Sequence, residues 1–137
     1  MLIEAPCNLD RISMNNPEVT SNIYQFSCKP YRSVLPKLLE KMLVAGILNA
    51  DENGGEILYT TRTLNPLHNE FMVEFAVDTL RQEYGITVRI ENLDLFEYAL
   101  GDSFEFEESV KTGSLIVPTL FKNSGPRYIC KLKRVLV

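Results

Sequence analysis

Apolar positions along this chain switch between two spacings. From Ser33 to Gly46, Leu35, Leu38, Leu39, Met42 and Leu43 recur at helical intervals and make one stripe. Ser33 suits a helix cap, Pro36 the first turn and Gly46 a left-handed stop. Asn65 and Pro66 open a second helix that ends at Gly85, with Leu67, Phe71, Phe75, Ala76 and Leu80 predicted to face inward. Between the helices, Glu56–Arg62 is β-branched and aromatic and predicts a strand. Residues 22–28 predict another strand, and Ile86, Val88 and Ile90 alternate as a half-buried one. Residues 95–100 suit a helical turn, and 103–113 fit either a strand or a short helix. A strand carrying Pro118 follows, and then a last strand with Tyr128, Cys130 and Leu132 on one face.

The predicted order is β-α-β-α-β-(α)-β-β. Alternating strands and helices imply parallel crossovers, and two adjacent strands at the end imply a C-terminal β-hairpin. The expected fold class is α/β: a mixed sheet of four to five strands with helices on both faces. Residues 1–21, with Pro6, Asn15, Asn16 and Pro17 and no clear period, are expected as an irregular arm. Residues 22–137 are expected as one domain.

The 137 residues carry a formal net charge of −4 and a pI near 5.0, which argues against a broad nucleic-acid footprint. Nucleic acid is therefore an unexpected partner. Three scattered cysteines, Cys7, Cys28 and Cys130, make no secreted disulfide framework and point to a reducing cytoplasm. A single histidine and the lack of any Cys-x-x-Cys spacing give no metal site, and no cofactor is implied. Residues 1–16 lack the charged and apolar regions of a signal peptide, and no run is long enough to span a bilayer, so no membrane partner is expected.

Two quoted stretches carry a family likeness. "EILYTTR" followed by "TLNPLH" resembles the strand and active loop of the thioredoxin fold, and "IVPTLFKNSG" resembles its cis-proline strand and hairpin turn. The resemblance covers about Glu56 to Lys133, and Thr63–Pro66 stands where that family keeps its thiols. Among relatives without thiols, the KaiB-type proteins are similar in the spacing of "GSLIVPTLFKNSGPRYICKL". The likeness implies a thioredoxin-like sheet whose usual final helix is absent. It also implies a regulatory module without redox chemistry that binds another protein and can self-associate.

The expected binding residues form two groups. Arg62, Thr63, Asn65, Pro66 and His68 stand at a helix N-terminus, where unpaired N–H groups suit an anion; Asn65 and Pro66 are equally explained as plain caps. Val117, Pro118 and Thr119 would offer a backbone edge to a peptide if Pro118 is cis, or open an edge strand if it is trans. The acidic stretch from Glu91 to Glu108 is a solvated face or a surface for a basic partner. An enzyme is the less favoured class; it would be a monothiol oxidoreductase using Cys28, a residue equally suited to a buried strand end. A rival fold takes residues 34–46 as a recognition helix and 47–62 as the wing of a winged-helix DNA binder, with Lys37 and Lys41 as its exposed cations.

Overall fold

The structure is a computed structural model describing residues 1–6, 30–122 and 124–135, with backbone alone at 30–33. The strand expected at 22–28 lies outside these residues, as do Cys28 and most of the 1–21 arm.

The α/β class holds. Six strands form one sheet: β1 (Leu2–Glu4), β2 (Glu56–Thr61), β3 (Thr87–Ile90), β4 (Glu105–Phe106), β5 (Ser114–Val117) and β6 (Arg127–Val135). Among the described residues, three α-helices accompany them: α1 (Pro30–Leu48), α2 (Glu70–Tyr84) and α3 (Asp94–Leu100). The predicted parallel crossovers give way to a mostly antiparallel sheet, in which only β1 and β2 run parallel. Residues 2–4 are thus a paired strand.

Strand β6 is the hub. Tyr128 to Lys133 pair with β2 on one edge. The other edge is shared: Arg127 to Ile129 pair with β5, and Leu132 to Val135 pair with β3. Its alternation was legible in the sequence, for Tyr128, Cys130 and Leu132 are all fully buried. The residues after "SLIV" leave the sheet, so β5 ends at Val117. No peptide bond among the described residues is cis, which corrects the cis-proline expectation at Pro118. A proline has no N–H for a ladder and ends the strand in its ordinary trans form. The wing expected at 47–62 is also corrected: β2 lies inside the sheet between β1 and β6.

Helix α1 buries Leu35, Leu39, Leu43 and Ile47, whereas Leu38 of the predicted stripe is 44% exposed. The helix starts earlier than its sequence cues, which puts Pro36 inside it and forfeits one backbone bond. Gly46 lies within the helix rather than stopping it. A Cβ there would come within 2.4 Å of Ile3 Cδ1, so the missing side chain lets β1 pack against α1. The far end of β6 is tied to the same helix: Arg134 Nη1 donates to the carbonyls of Leu48 (3.3 Å) and Ala50 (3.1 Å), where α1 leaves acceptors unpaired.

Helix α2 turns a face to the core that matches the expected one at Ala76 and Leu80 and departs from it at Leu67, Phe71 and Phe75. Met72, Val73, Ala76 and Leu80 are buried, while Leu67, Phe71 and Phe75 are exposed. Gly85 closes it in the left-handed conformation, φ 65°, as its sequence position suggested. Under the sheet face, the rings of Tyr59 and Tyr128 meet edge to face, 6.2 Å between centroids. Burial pushes the Cys130 thiol up to about 12, and no described helix is long and apolar enough to cross a membrane.

Two outcomes are expected. At Gly113, φ is 78° and an added Cβ would sit 2.6 Å from the Ile129 carbonyl, so Gly113→Ala loses roughly 2 kcal/mol in urea denaturation. Cys130 stays neutral and shielded at pH 8, so peptide mapping finds it unlabelled by iodoacetamide until denaturant unfolds the chain.

Candidate functional site

Strand directions gather one end of the sheet. Strands β2 and β5 run antiparallel to β6, and β1 runs parallel to β2. The carboxyl ends of β1, β2 and β5 therefore meet the amino end of β6. This end carries Glu4, the 62–69 loop, the connection from Pro118 to Pro126, and Arg127.

The 62–69 loop is fixed by buried polar contacts. The Thr61 hydroxyl donates to Asn69 Oδ1 (2.6 Å), and Asn69 Nδ2 donates to the Thr63 carbonyl (2.9 Å). All three residues are fully buried. The Asn65 N–H donates to Thr63 Oγ1 (3.1 Å), and Asn65 Oδ1 accepts from the Leu67 N–H (3.1 Å). Asn65 thus caps a single 3₁₀ turn, Pro66–His68, with Pro66 at its first position. From the strand side, Tyr59 Oη donates to the His68 carbonyl (2.7 Å). In a buried setting each such bond protects groups that would be costly to leave unpaired.

This frame sets Arg62 at the rim. Its Nη2 donates to Glu4 Oε1, and Arg127 Nη2 lies 3.9 Å from the same oxygen. The register that pairs Thr61 with Tyr128 brings the two arginines side by side. Both guanidiniums and the carboxylate are well exposed, so the pairs add little stability. Two cations share one anion, which leaves local positive charge on an acidic chain. Further along this end, Lys122 Nζ donates to the Gly101 carbonyl (2.7 Å) and stands 3.6 Å from Glu105.

The expected residues separate into two places. Arg62, Thr63, Asn65, Pro66 and His68 lie together in the loop, with His68 buried and Arg62 exposed. Val117, Pro118 and Thr119 lie across β6 from them, and Val117 is paired to Glu105 of β4. Sequence reasoning missed Glu4 and Arg127; their meeting with Arg62 depends on strand register, which no local signal encodes.

The acidic middle forms an open cleft of about 620 Å³, lined by Glu91, Asp94, Glu97, Glu107 and Glu108 with Lys111. The Ser109 hydroxyl and N–H both bond Glu107 and hold its carboxyl below the usual range. Among the described residues no group of three histidines, cysteines or carboxylates is arranged to hold a metal ion.

No family model matches the chain. Individual proteins do. The 5-cytosine rRNA methyltransferase NSUN4 of Mus musculus is 40% identical over 135 residues, which is 98% of this chain and 35% of the relative. The Caenorhabditis elegans 5-cytosine rRNA methyltransferase nsun-4 is 35% identical over 136 residues, 98% of this chain and 29% of the relative. The mitochondrial tRNA (cytosine(34)-C(5))-methyltransferase of Danio rerio is 30% identical over 136 residues, 98% of this chain and 35% of the relative. The chain is similar to a stretch of RNA cytosine methyltransferases. It spans about a third of the length of these curated relatives.

These matches overturn the thioredoxin and KaiB-type resemblance, which rested on short stretches between Glu56 and Lys133, whereas the new similarity runs along nearly the whole chain. They also correct the expected function: neither a non-redox protein-binding regulator nor its alternatives, the Cys28 oxidoreductase and the winged-helix binder, fits relatives so named. The exclusion of nucleic acid falls with them. Net charge averages the molecule, while recognition of a phosphate backbone depends on where a few cations stand.

Asn69→Ala removes two buried hydrogen bonds at once. The variant is expected to lose roughly 2 kcal/mol, seen as a lower urea midpoint with unchanged slope.

Proposed function

We propose that this chain binds RNA and contributes that binding to a cytosine-C5 RNA methyltransferase. The observation that carries the reading is 40% identity to an rRNA methyltransferase across 98% of the chain. The geometry supports it with one cationic rim, Arg62 and Arg127 about Glu4, on a loop held rigid from below. Guanidiniums are suited to phosphate oxygens by their planar, forked donors.

In this reading Arg62 and the Thr63–His68 loop keep a binding role, now toward RNA. Val117 ends β5, and Pro118 and Thr119 open the connection that borders the same end. In this reading residues 22–137 are taken as one domain, to whose sheet β1 adds a strand. The cytoplasm and the mitochondrion named for the zebrafish relative are both RNA-containing compartments that fit.

Methyl transfer itself needs an activated donor in a site that excludes water. The 90–114 cleft is open and walled by carboxylates, so it does not fit a donor site and no methyl-transfer step is assigned to it.

Fluorescence anisotropy with a labelled rRNA fragment tests the reading. The chain is expected to bind in a salt-sensitive way, and charge reversal at Arg62 and Arg127 together weakens binding about tenfold or more and flattens the salt slope. Glu4→Gln frees both guanidiniums and tightens binding. Salt-insensitive binding, or equal affinity in all three proteins, would overturn the proposal.

A further inference from the structure

We infer that Leu120 and Phe121 form an apolar wedge that packs against unpaired RNA bases, an inference resting on the RNA-binding reading above. These two are the most exposed large apolar side chains among the described residues, 97% and 96% accessible. They are neighbours at the centre of a short turn that is held at both ends. The Thr119 N–H donates to the Lys122 carbonyl (3.3 Å), and the Lys122 N–H donates back to Thr119 Oγ1 (3.0 Å). The Ser124 N–H bonds the same Lys122 carbonyl (2.9 Å). The Lys122 ammonium, bonded to the Gly101 carbonyl, anchors the turn to the residues that follow α3.

Turn centres favour Gly, Asn, Asp, Ser or Pro, each for a backbone reason. Leucine and phenylalanine bring no such advantage here and expose apolar surface to water. Their placement is explained if a ligand covers them. The turn stands at the sheet end that also carries Arg62 and Arg127, and Lys122 is set against Glu105. Three cations there face two carboxylates, Glu4 and Glu105. An apolar tip beside cations matches a ligand with flat apolar faces strung on a phosphate backbone. Aromatic rings stack on bases that are unpaired, and paired bases in an RNA duplex are closed to them. The wedge therefore selects single-stranded or bulged RNA, while the arginines bind phosphate in either form.

The test measures binding of the full chain to a fluorescein-labelled unstructured RNA and to a blunt RNA duplex of the same length. Phe121→Ala is expected to weaken single-strand binding about tenfold, with duplex binding unchanged. Phe121→Tyr, which keeps the ring, restores the single-strand affinity. Because the side chain is exposed, both variants keep the native urea midpoint. If Phe121→Ala binds single strands as the native chain does while Arg62→Glu/Arg127→Glu does not, the wedge is wrong and the RNA-binding reading survives. A native chain with no salt-sensitive RNA binding removes both. Phe121-dependent binding to anionic phospholipid vesicles, with RNA affinity unmoved, also overturns the wedge.

Discussion

The rim depends on a buried amide. Asn69 lies where a strand has ended and a helix has not begun, so backbone groups around it lack regular partners. Its side chain answers this with one acceptor and one donor, joining the Thr61 hydroxyl to the Thr63 carbonyl. Arg62 is the residue between those two partners. Its guanidinium therefore projects from a backbone pinned on both sides, with less freedom to lose when it meets a phosphate. Tyr59 and the 3₁₀ turn's own cap, Asn65, extend the same frame toward α2.

Much of the chain's layout was legible because its punctuation is strong. Gly85 ends α2 where its backbone freedom suggested, while the Asn-Pro pair at 65–66 opens a 3₁₀ turn and α2 itself starts at Glu70. The alternation of Tyr128, Cys130 and Leu132 survives for a similar reason, since a strand offers only two faces. A helix offers more. On α2, Phe71 and Phe75 face outward while Met72, Val73, Ala76 and Leu80 face the core, so the expected stripe held at Ala76 and Leu80 and failed where bulk stood in for direction. The sheet buries the smaller residues, which allow closer approach. The likeness drawn from "EILYTTR", "TLNPLH" and "IVPTLFKNSG" failed because segments so short are compatible with many folds. The site was half legible: Arg62 and its loop stood out locally, but Glu4 and Arg127 join them only through strand register.

Charge is divided in this molecule. The carboxylates of the 90–114 cleft outnumber its one lysine, while the rim at the strand ends is net positive. An acidic total is therefore compatible with a polyanion as ligand, provided the ligand engages the rim and avoids the cleft. Repulsion from the cleft narrows the orientations in which it can do so.

The hub strand comes late in the chain. Strands β2, β3 and β5 all find a partner in residues 127–135. Until a ribosome has released that stretch, β2 has only the three-residue β1 as a neighbour, and β3 has none among the described strands. Assembly of the sheet accordingly waits on residues 127–135 and is governed by distant contacts, which is a slow route. A nascent chain halted before Arg127 would hold two sheet fragments with no common strand to join them.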